Sequence, residues 1–204
     1  MMIFVFDLDD TVCDTDAYSE QYILNFIKDN NLPYKQIAKN VRFAEQKFDW
    51  SREYALSWYK KYGDAMMFNF PCKEGAVELI NQLYDLNHTI IIATARANDW
   101  HNEPERITKE WLDKEGIKYH KLYIGRIDKE KICEEENANF FIDDDIKITK
   151  NVAEYFVSQN NKNVQCFIMN TGYNKDLEIN ECVKRVNSFN EFKTELMKYN
   201  IFNK

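Results

Sequence analysis

Met2-Ile-Phe-Val-Phe-Asp-Leu-Asp-Asp-Thr11 is the stretch that decides how this chain folds. Met2 to Phe6 form a short, continuous apolar run rich in β-formers. Such a run suits a central parallel strand buried on both faces. It stops at Asp7, and the Asp7-Leu8-Asp9-Asp10 segment places three carboxylates directly after it. A buried strand ending in several acids calls for a cation or a reactive site to use them.

Similar apolar runs recur at Thr89–Ala93, Leu122–Ile124, Phe140–Ile142 and Val164–Met169. Helical patterns lie between them, at Gly75–Asn87, Pro104–Glu115, Lys129–Glu136 and Ile146–Gln159. Strands alternating with helix-length segments predict an α/β domain: a Rossmann-like parallel sheet with helices on both faces. Residues 14–70 break the rhythm. They hold no convincing strand, but stripes such as Tyr22, Ile23, Phe26 and Ile27 read as helical. The segment is too long for a loop, so it is expected to be a small helical cap inserted after the first strand. Residues 1–13 and 71–204 would then form the core domain.

In open α/β sheets, ligands bind beyond the carboxyl ends of the strands. Here those ends carry Asp7-Leu8-Asp9-Asp10-Thr11, then Thr94-Ala95-Arg96, then Asp143-Asp144-Asp145, and Lys129 opens the helical pattern before the fourth strand. Each admits a plain explanation alone. The three aspartates could cap a helix, Thr94 could be an ordinary strand-end hydroxyl, and Lys129 a solvated lysine. Their occurrence together, each at a separate strand end, is what points to a site.

Asp-x-Asp-x-Thr after a first strand, Thr after a second, then Lys, then an Asp-Asp pair resemble the four motifs of the haloacid dehalogenase superfamily, in that order. Within it, the chain is most similar to bacterial proteins grouped with the cytosolic-type 5′(3′)-deoxyribonucleotidases. Further points of likeness are Trp111-Leu112, Gly116-Ile117, Asp128-Lys129 and Asn170-Thr171-Gly172-Tyr173-Asn174. The resemblance implies a Mg2+-dependent phosphohydrolase. Its metal would be held by Asp7, the backbone carbonyl of Asp9, Asp143 and Asp144, with the register within Asp143–Asp145 open by one residue.

The chemistry agrees with that implication. Phosphate esters repel anionic nucleophiles, so catalysis needs charge neutralisation and alignment. Asp7 is the candidate nucleophile, giving an aspartyl-phosphate that water cleaves. Asp9 is the candidate general acid/base. A free Asp has a pKa of about 3.9, so that role requires an upward shift at Asp9. Thr94 and Lys129 would hold phosphoryl oxygens, with Lys131 in reserve for Lys129. Arg96 has two open readings, a fork on the substrate phosphate or an ion-paired brace for its loop.

The expected partner is a small phosphorylated substrate, a nucleoside monophosphate first, stacked on cap aromatics among Phe43, Phe48, Trp50, Tyr54 and Trp58. Another small phosphate ester, such as a sugar or amino-acid phosphate or a nucleic-acid 3′ end, is the alternative. A noncatalytic phosphate-binding module ranks last, since both Asp7 and Asp9 are present. A formal charge of −7 weighs against long nucleic acid. Five cysteines without a C-x-x-C pair suggest reduced thiols and a cytoplasmic location. The Met1–Phe6 run is too short for a signal peptide, and no segment reaches membrane-spanning length. His88, His101 and His120 show no zinc-ligand spacing and are expected on the surface or in loops.

Overall fold

A computed structural model describes residues 1–32, 34–159 and 164–202. Pro33, inside the predicted insertion, and residues 160–163 and 203–204, inside the predicted core, lie outside the described residues. The elements run β1 (Ile3–Phe6), α1 (Thr15–Asp29), α2 (Ala44–Phe48), α3 (Arg52–Asn69), α4 (Ala76–Asp85), β2 (Thr89–Thr94), α5 (Pro104–Glu115), β3 (Lys121–Ile124), α6 (Lys129–Glu135), β4 (Phe140–Asp143), α7 (Ile146–Ser158), β5 (Gln165–Met169), β6 (Val183–Val186) and α8 (Phe189–Met197).

The six strands pair in parallel in the order β3-β2-β1-β4-β5-β6. The chain builds outward from β1 in both directions, so the strand order reverses between β1 and β4. Such a reversal opens a crevice at the carboxyl ends of those strands. Alternation along the strands sends side chains to two cores. Phe4, Phe6, Ile90, Ile92, Phe140, Ile142 and Phe167 pack with α4, α5 and α8 on one face. Val5, Ile91, Ala93, Phe141, Cys166 and Ile168 pack with α6 and α7 on the other. This is the α/β sheet with helices on both faces that the sequence predicts.

Local chemistry sets the helix ends. α5 begins with Pro104 and stops at Gly116, whose φ of +71° suits glycine. Asp128 caps α6 through the Glu130 and Lys131 amides, and Asp145 caps α7 through those of Lys147 and Ile148.

Two features depart from expectation. β6 and α8 add a strand and a helix after residue 180. β6 is short, with Lys184 and Arg185 half-buried between Val183 and Val186, so its apolar signal is faint. His88 is buried rather than superficial: its Nδ1 accepts the Met2 amide at 3.1 Å, and Nε2 lies 3.1 Å from the Ile201 carbonyl. It ties the start of β1 to the chain after α8.

Residues 14–70 do form helices, α1 to α3, between β1 and α4. Their apolar stripes meet in an aromatic chain: Phe26 on Trp50 with centroids 5.3 Å apart, Trp50 on Phe48 at 5.5 Å, and Trp50 on Trp58 at 6.1 Å. Tyr22 reaches Phe70 at 5.7 Å, which joins this packing to the sheet core. No described helix is long and apolar enough to cross a membrane, and all five cysteines are free thiols.

Candidate active site

The turn after β1 is wound tightly enough to aim its carboxylates. The amides of Thr11, Val12 and Cys13 all donate to the Leu8 carbonyl, at 3.2, 2.8 and 2.7 Å. Asp10 adopts a left-handed conformation, φ 60°, which Asp tolerates better than most residues. Its Oδ1 accepts the Asp16 amide at 2.6 Å, anchoring the start of α1.

Asp7 lies at the head of this turn, its amide bonded to the Ile142 carbonyl of β4 at 3.0 Å. One carboxylate oxygen from each of Asp7, Asp143 and Asp144 lies within 4.8 Å of the others, and all three residues are buried. Asp145 is spent as the α7 cap, so the helix-capping reading applies to it. Asp143 and Asp144 are the pair brought to Asp7.

Lys129, the first residue of α6 after the Asp128 cap, reaches the same place. Its Nζ donates to Asp7 Oδ1 at 2.5 Å and to Asp143 Oδ2 at 2.6 Å, inside the protein. Burial works against its ammonium, but Asp143 and Asp7 outweigh that and raise its pKa above the ordinary lysine value. Lys131 instead lies on the surface, 3.6 Å from Glu135. Burial also drives the Asp7 pKa well above the carboxylate range, Lys129 opposing and Asp143 and Asp144 reinforcing the rise. Burial lifts Asp144 to about 7. The single Lys129 ammonium does not balance three crowded carboxylates, and a hard divalent cation with oxygen ligands would supply the remaining charge. The donor set therefore fits Mg2+.

Thr94, the last residue of β2, is fully buried, and its Oγ1 has no hydrogen-bond partner. A buried hydroxyl left unpaired costs about 1–3 kcal/mol, so a ligand oxygen at that point would be stabilising.

Asp9 and Arg96 form a second pair. The guanidinium is 3% exposed and grips Asp9 with two bonds, Nε to Oδ2 at 2.9 Å and Nη2 to Oδ1 at 2.7 Å. Thr15 Oγ1 adds a third at 3.2 Å. Burial alone would raise the Asp9 pKa, but the Arg96 charge and hydrogen bonds override it and bring it to about 2. The upward shift expected for a general acid is therefore absent in this arrangement. Of the two readings of Arg96, the ion-paired brace is the one the coordinates display.

Three neighbours escaped the sequence reading. Tyr173, after β5, donates its hydroxyl to Asp144 and also lies 3.1 Å from Asp10 Oδ2. Asn174, buried, donates to the carbonyls of Asp144 and Met169, both at 2.8 Å, fixing the turn after β4. Both belong to the Asn170–Asn174 segment whose likeness was noted without a role. Arg42, from the insertion, pairs with Asp145 and lies 3.7 Å from Asp144; no local pattern marks it.

The predicted stacking aromatics divide. Phe48 and Trp58 are buried and Trp50 is half-buried within the insertion's own packing, whereas Phe43 and Tyr54 are exposed. The Nε1 atoms of Trp50 and Trp58 and one carboxylate oxygen of Glu45 are buried without partners. A separate cavity of about 770 Å³ opens beside Arg96, lined by charged side chains including Asp99, Glu103, Arg106 and Arg126.

The parallel sheet order with helices on both faces is the Rossmann-type α/β fold seen in haloacid dehalogenase-like hydrolases. Solved structures share it across nearly their full length. A haloacid dehalogenase-like family hydrolase from Streptococcus pneumoniae aligns with a TM-score of 0.65 at 13% identity, covering 98% of each chain. A putative phosphatase from Clostridium difficile aligns with 0.66 at 15% identity, over 95% of this chain and 97% of its own. The D,D-heptose 1,7-bisphosphate phosphatase of B. bronchiseptica, solved with magnesium and phosphate, aligns with 0.57 at 11% identity, over 98% and 99%. No protein-family model matches the chain, and no curated protein does either. At these identities the likeness establishes the fold.

Proposed function

We propose that this protein is a Mg2+-dependent phosphomonoester hydrolase working through an aspartyl-phosphate on Asp7. The observation that carries the reading is the convergence of Asp7, Asp143 and Asp144 on one buried point, bridged by Lys129. Asp7, Asp143, Asp144 and the Asp9 carbonyl would hold Mg2+, which when bound neutralises phosphoryl oxygen charge and orients the phosphorus. The Asp7 carboxylate attacks phosphorus in line with the leaving oxygen. Lys129 and Thr94 Oγ1 hold the equatorial oxygens as charge gathers on them. Asp9 protonates the leaving alkoxide, then takes a proton from the water that opens the acyl phosphate.

The low pKa of Asp9 keeps it ionised, the state the second half of that role requires, but leaves it weakly basic. For the first half, Arg96 has to transfer its fork to an anionic oxygen of the substrate. Asp9, relieved of the guanidinium, then rises toward a protonated state. One movement thus reconciles the phosphate-binding and bracing readings of Arg96. Residues 14–70 act as a cap that excludes water from the reaction. Free, singly placed thiols support a cytoplasmic location.

Nucleoside 5′-monophosphates are the first substrate class. The exposed cap aromatics Phe43 and Tyr54 offer faces for a stacked base. These are the features a nucleobase uses. A second reading, a sugar or other polar phosphate, draws on the charged cavity beside Arg96. A panel of phosphorylated metabolites assayed with Mg2+ and with EDTA separates them. EDTA-sensitive release of phosphate from nucleotides is expected. Turnover confined to sugar phosphates selects the second reading, and no turnover of any ester defeats the hydrolase reading.

A further inference from the structure

The cap touches the core on two unlike sides. On one, α3 is fixed by many contacts: Lys60 Nζ donates to the carbonyls of Asn98 and His101 at 2.6 and 3.0 Å, Asp64 accepts from Asn102, and Arg52 lies 4.4 Å over Trp100. On the other side, the stretch from Tyr34 to Phe43 has no regular helix or strand and is mostly exposed. Yet Arg42, itself about a third exposed, reaches the turn after β4. The guanidinium bonds Asp145, lies 3.7 Å from the fully buried Asp144 carboxylate, and stands 5.6 and 5.8 Å from the Phe43 and Tyr173 rings. Among the described residues, it is the one cap side chain ion-paired to the turn after β4.

We propose that Arg42 is a positioning residue that latches the irregular Tyr34–Phe43 side of the cap onto the cation-binding carboxylates and competes with the cation for their charge. The inference rests on the Mg2+ reading above. Asp144 already accepts from Tyr173 and, at 3.3 Å, from Thr11 Oγ1. Arg42 supplies the nearby full positive charge on the cap side. A divalent ion placed on Asp7, Asp143 and Asp144 withdraws electron density from the carboxylate that Arg42 faces. By reciprocity, the guanidinium weakens the ion's hold by the same factor. Cap attachment and cation occupancy are therefore linked through one side chain. Cation binding loosens the latch, and the Tyr34–Phe43 edge opens for the substrate.

The linkage predicts an effect opposite in sign to that of simple structural damage. Arg42→Met should tighten Mg2+ binding, measured by isothermal titration calorimetry, by on the order of fivefold, the scale of a partly exposed ion pair. It should also speed proteinase K cleavage within residues 34–43, mapped by mass spectrometry, while the melting temperature holds. Arg42→Lys keeps the charge but loses the fork, so its Mg2+ affinity should stay within about twofold of wild type. Weaker or unchanged Mg2+ binding in Arg42→Met overturns the competition, and unchanged cleavage overturns the latch. If Arg42→Met does not fold, Asp145→Asn, which retains a capping oxygen for α7, tests the latch by the same cleavage. Should the wild-type protein bind no Mg2+, the hydrolase reading fails, and the latch is decided by cleavage alone.

Discussion

The carboxyl rim of the sheet and the helical cap use polar groups in opposite ways. At the rim, charges are paired closely: Lys129 buried between Asp7 and Asp143, and a buried Arg96 on a half-buried Asp9. In the cap, the interior is aromatic, and three buried polar atoms have no partner at all. The contrast sets the acid-rich rim, the proposed seat of phosphoryl transfer, apart from an apolar cap interior. The rim still leaves Thr94 Oγ1 unpaired beside its charged pairs. The unpaired Trp50 and Trp58 N–H groups and the Glu45 oxygen are enclosed by the cap's own packing.

If the rim is the reactive half, its leading carboxylate should matter to rate and little to folding. Asp7→Asn should lower Mg2+-dependent phosphatase turnover on the order of a thousandfold or more. The melting temperature should stay level or rise, because a crowded buried charge is removed. Turnover equal to wild type in this variant would end the assignment of Asp7.

Lys129 tests the pairing itself. Lys129→Met leaves Asp7 and Asp143 buried without their cation, at a cost of about 3–5 kcal/mol. Thermal denaturation should show the loss, and saturating Mg2+ should restore part of it, about 2.7 kcal/mol at a hundred times its dissociation constant. Destabilisation that Mg2+ leaves untouched would mean that the ion does not occupy this cluster.

The rim was also the legible half. A run such as Met2–Phe6 must be buried on both faces, and its termination at Asp7 marks a strand end, so fold and acid positions follow from one stretch. Lys129 could be placed because it opens the helical pattern before the fourth strand, where the resembled motifs put a lysine. What escaped reading depended on distance in the chain. Arg42 meets Asp145 across 103 positions, and nothing around Arg42 hints at that partner. The depressed pKa of Asp9 escaped for a related reason: whether Arg96 turns to Asp9 or away from it is a rotamer outcome, not a pattern. β6 escaped because its apolar positions are too few to stand out.

The seam between rim and cap gives a smaller effect. A Cβ added at Gly63 of α3 would lie 2.7 Å from His101 Nδ1 and 2.9 Å from the Trp100 carbonyl. The carbonyl belongs to the backbone and cannot swing aside. Gly63→Ala should therefore cost about 1–3 kcal/mol, lowering the melting temperature by about 2–4 °C per kcal/mol. An unchanged melting temperature would show that α3 can slide on the loop after β2, and the cap would then be loose on both sides.

The smallest effect concerns acid stability. Asp9 falls from an ordinary value near 3.8 to about 2 when folded, because Arg96 stabilises its anion. Between those values the unfolded chain binds more protons than the folded one. The contribution is complete above pH 3.8 and is lost as the pH falls toward 2. Asp9 keeps about a third of its side-chain surface, which screens the pair and keeps the contribution modest. Arg96→Met removes the guanidinium, leaving burial to raise the Asp9 pKa. The midpoint of acid unfolding, followed by circular dichroism from pH 5 to pH 2, should then move upward. A midpoint that does not move would mean that Arg96 leaves Asp9 in solution even without substrate, and that the two charged pairs of the rim are not alike: Lys129 fixed, Arg96 already free to take a phosphoryl oxygen.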